Sequence, residues 1–230
     1  MNILAARNYI LDTARLIVPA TRVLFYEVDG RFQPYGHISS TNENWGGLYR
    51  KFVTLDPYHP RCFAKMNRNV FGTAPGYGPD LENADYVEGF RKVLGIRHKA
   101  EMFLRDAEGG IRAGLRYARL EGEREFTTEE MIKLSRMQPL FANLWCTALV
   151  HNMEAQIFSG LTEREREVFD LLLSGYPNQD ISRLLSIALP TVKNHVKAIL
   201  AKTGYANRAQ LLAALYGAGH ALRASHWNPS

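Results

Sequence analysis

The chain has 230 residues, 46% hydrophobic and 22% charged, a balance able to bury one large core or two modest ones. No apolar run approaches the roughly 18 residues that span a bilayer, the N-terminus lacks a signal-peptide pattern, and two cysteines, Cys62 and Cys146, exclude a disulfide scaffold and fit a reducing cytoplasm. The net charge of +5 is unevenly placed: no acid follows Asp180, whereas Arg183, Lys193, Lys197, Lys202, Arg208 and Arg223 do, a basic block that suits either a polyanion such as duplex DNA or a solvated face.

Residues 3–17 predict an amphipathic helix. Residues 21–28 and 31–38 predict two strands joined at Asp29-Gly30, a hairpin turn signal. Helices are expected over 42–53 and 57–66, the second with Pro57 in its first turn. The Gly-, Pro- and Asn-rich stretch 68–82 predicts a loop. A helix fits 83–94, and strands fit 98–105 and 111–120 around a turn from Asp106 to Gly110. A long helix starts near Thr127, where Thr127 and Glu130 match a capping box. Its apolar pattern runs through Met131, Leu134, Met137, Leu140, Leu144 and Ala148, and Pro139 is expected to kink it. Residues 151–160 read as a connector.

Beyond the connector the strand patterns stop. Thr162 and Glu165 form a second capping box, and Ser174-Gly175 ends that helix. A short helix over 178–185, a turn at Ser186-Ile187-Ala188 and a helix over 190–203 follow. In the last of these, Val192, Val196, Ile199 and Leu200 share one stripe, while Lys193, Asn194 and Lys197 share the exposed face beside it. Gly204 stops it, and Asn207 with Gln210 opens a fourth helix that buries Leu211, Leu212 and Leu215. Two short helices around a three-residue turn make a helix-turn-helix. A Lys on such a helix can donate to guanine, and an Asn can pair with adenine.

These residues resemble the LuxR-type helix-turn-helix shared with NarL/FixJ regulators. The likeness rests on Leu161-Thr162-x-Arg164-Glu165-x-Glu167-Val168, Gly175, Asn178, Ile181, Leu185, Thr191-Val192-Lys193-Asn194-His195, Ile199, Lys202 and Asn207-Arg208. The resemblance implies that Lys193, Asn194 and Lys197 read bases, that Thr191, Asn178, Arg208 and Lys202 lie at the DNA, and that RNA polymerase is a partner. Three positions depart from the family: Pro177 and Ala188 replace capping serines, and Ser186 replaces a common Gly. Lost caps cost about 1 kcal/mol each.

The expected fold is therefore an α+β domain over 1–150, an antiparallel sheet flanked by helices in an α/β/α arrangement, then a linker over 151–160, an all-α module of four helices over 161–218 and a tail over 219–230. The antiparallel hairpins argue against a phosphorylatable receiver. The element order resembles the GAF/PAS-like sensor half of LuxR-type regulators. Trp45-x3-Tyr49 followed by Asp56-Pro57 resembles, with shorter spacing, the acyl-homoserine lactone pocket of quorum-sensing members. Two readings of these residues stand open. Trp45, Tyr49 and Asp56, with Phe71, Tyr35 and Phe25, can wall a pocket for a small, partly apolar ligand, or the aromatics are core and Asp56 caps the helix opened by Pro57. Asp56, His59 and Cys62 do not have zinc spacing, and no cofactor or catalytic fingerprint is present. The long helix is expected to make a homodimer.

Overall fold

The computed structural model describes residues 2–41, 46–78 and 83–217. The chain divides into two compact units, Met1–Cys146 and Thr147–Ser230.

The first unit is an α+β domain. It is built on a five-stranded antiparallel sheet in the order β2-β1-β5-β4-β3, with β1 Arg22–Val28, β2 Pro34–Ser39, β3 Val70–Gly72, β4 Ile96–Arg105 and β5 Ile111–Leu120. The first hairpin turns at Asp29, whose carboxylate accepts from the amides of Arg31 and Gln33 at 2.8 Å. The second turns at Asp106, which accepts from the Gly110 amide at 2.7 Å. That tight turn fixes the register so that Glu101 pairs with Arg116 across β4 and β5.

Alternation along the strands sends side chains to two faces. One face meets α1 (Ile3–Ile17) and the start of α5 (Thr128–Gly160). Here Phe25 stands edge-on to Trp145 at 4.8 Å, and Gln138 donates to the Phe103 carbonyl at 2.9 Å. Asn2 caps α1 by accepting from the Ala5 amide, and Ala6, Ile10 and Ala14 are fully buried one or two turns apart. The other face carries Leu24, Tyr26, Glu101, Phe103 and Arg116. It is covered by α2 (Gly46–Phe52), α3 (Pro60–Phe63) and α4 (Ala84–Tyr86), the last continued by π-helical turns over Val87–Lys92. Gly114 is required in β5 because a Cβ there would lie 2.3 Å from the Tyr26 ring that crosses it.

Three expectations change. The stretch 68–82, expected as loop, contains β3, held by Phe103 N donating to the Asn69 carbonyl and Thr73 N to the Lys99 carbonyl, each at 2.8 Å. Three residues are too few to show alternation. The helix expected over 57–66 shrinks to Pro60–Phe63, because Asp56 turns inward and His59 caps instead, its Nδ1 accepting from the Arg61 amide. The connector 151–160 is helical, since α5 runs through Pro139 to Gly160. The reason lies in the second unit, where Met153, Ile157 and Phe158 pack on its core.

That core is all-helical. It gathers Val168, Phe169 and Leu172 from α6 (Glu163–Leu173), Ile181 from α7 (Asn178–Leu184), Val192 and Ile199 from α8 (Leu189–Thr203), and Leu211 and Leu215 from α9 (Arg208–Gly217). The capping box at Thr162 and Glu165 forms as the sequence predicts, and Gly204 ends α8 at φ 76°.

Candidate DNA interface and N-terminal site

In the C-terminal unit, α7 and α8 are joined by a tight turn. Ser186 takes φ +52°, the left-handed region where glycine is at ease, and Ser182 Oγ donates to the Ile187 carbonyl at 2.6 Å. Val192 and Ile199, seven residues apart, root α8 in the core at zero exposure. The opposite side exposes Thr191, Lys193, Asn194 and Lys197. Among the described residues none of these four side chains is engaged in a hydrogen bond or ion pair. Three cationic or amide groups thus project from a rigidly seated helix with their donors unspent.

Two other expected contact residues behave differently. Lys202 donates to Glu165 at 2.6 Å, so it ties the end of α8 to the capping box of α6. Arg208 donates to the carbonyls of Tyr176 and Leu172 at 2.9 and 3.2 Å, so it closes the C-terminal end of α6. Both side chains help hold the helices together. Asn178 sits half-buried in the first turn of α7. Neither Pro177 nor Ala188 supplies a side-chain cap, as the sequence predicts.

In the N-terminal unit the candidate pocket residues separate. Trp45 lies outside the described residues. Phe25 is on the α1/α5 face, packed on Trp145, and cannot line a site on the opposite face. Tyr35 pairs with Glu27 on the edge strand and is 49% exposed. Strand alternation turns both away from Asp56. Phe71 is on the Asp56 face but packs on Phe63, ring centroids 4.0 Å apart, within an aromatic cluster that includes Phe103.

Tyr49 and Asp56 do come together, and with partners the sequence reading missed. Tyr49 donates to Asp56 Oδ2 at 2.9 Å, and Arg116 pairs with the same oxygen at 2.8 Å. Asp56 Oδ1 accepts from the Tyr58 amide at 3.0 Å and from Lys99 at 3.3 Å. Arg116 also pairs with Glu101 at 2.6 Å, and Tyr26 donates to the other Glu101 oxygen. Asp56, Lys99, Glu101 and Arg116 form a buried quartet of zero net charge. Burial opposes ionisation of Asp56, but Arg116 and Lys99 overcome it and hold that carboxyl well below the usual range. Burial pushes Lys99 down to about 8 and raises Glu101. Burial, with Arg116 adding to it, brings His37 down to about 4. His37 stacks on Tyr26 in this cluster.

Beside the quartet a narrow recess is walled by Leu24, Phe90, Leu94, Ile96 and Ala118 with the side chains of Arg22, Lys99 and Arg116. Its surface is apolar, because the long cationic side chains present their stems. The sequence signal for this site was the register itself: Lys99 and Glu101 alternate on β4, and Glu101 faces Arg116 on β5.

Among the described residues no helix is long and apolar enough to cross a membrane. A family model described as bacterial regulatory proteins, luxR family, matches residues 159–215. The monoamine regulon transcriptional regulator of Klebsiella aerogenes is 31% identical over 204 residues, 88% of this chain and 86% of that protein. The response regulator protein VraR of Staphylococcus aureus is 41% identical over 68 residues, 30% of this chain and 32% of its own length. Among solved structures, Escherichia coli SdiA aligns over 95% of this chain and 92% of its own, with a TM-score of 0.49 and 17% identity.

Proposed function

This chain belongs to the luxR family of bacterial regulatory proteins, and we propose that it works as a homodimer that reads a specific duplex site with α8 and answers to a small, partly apolar effector in its N-terminal unit. As a member of that family it is a DNA-binding transcriptional regulator and not an enzyme. The observation that carries the DNA reading is the exposed row Lys193, Asn194 and Lys197 on a helix anchored by Val192 and Ile199. Lys can donate to guanine O6 and N7, and Asn can pair bidentately with adenine. On this reading Thr191 and Asn178 hold phosphates. A dimer sets two such helices about one DNA turn, roughly 34 Å, apart on a near-palindromic site in the cytoplasm. Ile132 and Leu140, eight residues apart on α5 and 40% and 61% exposed, support a self-association face.

The test is operator binding by Lys193→Ala and Lys197→Ala. Each should weaken specific binding by about 1–3 kcal/mol and relax preference at its own base position. Unchanged affinity and preference in both would remove the assignment.

The apolar recess supports the effector reading. The ligand acts by binding one arrangement of the dimer better than another. A second reading, in which the N-terminal unit only dimerises or docks a protein, is favoured by one observation: both Asp56 oxygens are already engaged by Tyr49, Tyr58, Lys99 and Arg116. An acyl-homoserine lactone whose amide sought Asp56 would have to displace one of them. Thermal shift of the full chain with lactones and other small apolar compounds separates the two readings. Stabilisation by any of them supports an effector, and none supports the second.

A further inference from the structure

Several hydroxyls on the helices of this chain bond backward. Ser135 Oγ donates to the Met131 carbonyl at 2.8 Å, and Ser174 Oγ to Asp170 and Thr203 Oγ1 to Ile199 at 2.9 Å, each four residues earlier. Ser182, in the last turn of α7, does the reverse. Its Oγ reaches five residues forward to the Ile187 carbonyl at 2.6 Å, while its own carbonyl accepts from the Ile187 amide at 3.1 Å. One residue of α7 grips both backbone polar groups of Ile187.

The place of that grip matters. Ile187 directly precedes Ala188, the N-cap of α8, and its side chain packs on the helical core. The Ile187 carbonyl and the Ala188 amide share one planar peptide unit, so holding the oxygen fixes the plane from which α8 departs. The local devices for that task are missing. Ala188 has no hydroxyl to cap the helix, and Pro190 has no amide to donate. Ser186 sits in the left-handed region, a conformation that a serine does not hold by preference. Arg164 of α6 donates to the Leu185 carbonyl, but from an exposed position and at 3.2 Å.

We propose that Ser182 is a positioning residue for the reading helix: its hydroxyl replaces the missing cap and sets the angle at which Lys193, Asn194 and Lys197 meet a duplex. This rests on the assignment of α8 as the base reader. Without the hydroxyl the turn populates other orientations, and specific affinity falls with the fraction of chains in the competent one. The loss of one hydrogen bond corresponds to a fall of about threefold to tenfold. Phosphate contacts carry no sequence information and tolerate the change in angle.

The experiment measures binding by the full chain, well below its melting temperature, to two duplexes. One is selected from a random pool by the native protein, and the other is its scrambled sequence. Ser182→Ala should weaken binding to the selected duplex about threefold to tenfold and leave the scrambled one within about twofold. Adding Ala188→Ser should recover most of the loss, because a serine there can accept from the Thr191 amide. A substitution that only lowered stability would shift the denaturant midpoint and leave the ratio of the two affinities as in the native chain. That result overturns the proposal, as does no recovery in the double variant. Lys193→Ala, measured alongside, separates this inference from the reading beneath it. If Lys193→Ala loses selectivity and Ser182→Ala does not, the positioning role alone falls. If neither loses it, the base-reading assignment of α8 falls as well.

Discussion

Phe158 occupies the part of α5 that sequence patterning assigns to a connector, yet its ring stands edge-on to Phe169 at a centroid distance of 5.3 Å, against the C-terminal core. Truncating a fully buried Phe to Ala costs about 3–5 kcal/mol, and an aromatic pair adds about 0.5–1.5 kcal/mol beyond area. Phe158 is half-buried, so Phe158→Ala should cost about 2 kcal/mol, most of it from lost packing. The carbonyl of Phe158, which accepts from Arg166 Nε at 2.9 Å, is retained in the variant. Amide hydrogen exchange of the full chain resolves the effect by region. A loss of 2 kcal/mol raises opening about 30-fold in the protected amides of α6 and α8, whereas β4 and β5 should exchange as before. Equal protection of α6 in variant and native protein would show that the last turns of α5 contribute nothing to the module, and the reasoning from its packing would fail.

Ser186→Gly should stabilise the C-terminal unit. A left-handed non-Gly residue costs about 1–2 kcal/mol, partly offset by the freer unfolded chain of Gly, so a net gain of about 0.5–1 kcal/mol is expected in denaturant midpoint, and a loss would refute the strain argument. Glu130 offers a pH test. Burial raises its pKa, but hydrogen bonds from Arg119 and Arg124 and from the Thr127 amide prevail and hold it at about 2. The folded value lies below the unfolded one of about 4.3, so its stabilisation is complete above that pH and fades as pH falls toward 2. Melting temperature against pH should therefore be flatter between pH 4 and pH 2 in Glu130→Gln, and parallel curves would exclude the linkage.

Local chemistry was legible wherever neighbouring residues decide the structure. The capping boxes at Thr127/Glu130 and Thr162/Glu165 form as read, as do the turns at Asp29 and Asp106 and the limits of β5. The exposed row on α8 follows directly from its 3.6-residue period. What escaped depends on partners distant in sequence. His151, Asn152 and Gln156 dilute the apolar pattern of α5, and only the core of the second unit shows why Ile157 and Phe158 belong to a helix. Lys202 and Arg208 read as free cations until Glu165 and the end of α6 are placed beside them. Lys99, Glu101 and Arg116 alternate with apolar residues, the usual sign of a strand face in water, and nothing local announces that Asp56, 43 residues before Lys99, covers that face. The pairing of Glu101 with Arg116 was within reach by counting back from the Asp106 turn.

The balance of the Asp56, Lys99, Glu101 and Arg116 group also constrains how the protein can change over generations. Deleting one member strands an opposite charge away from water, a defect of about 3–5 kcal/mol, while removing an acid and a base together leaves a neutral interior. Descendants of this chain that lose the lysine at position 99 should therefore carry a compensating loss at Asp56 or Glu101. Inheritance at these four sites would proceed by paired replacement, which keeps this buried group either fully ionic or fully neutral.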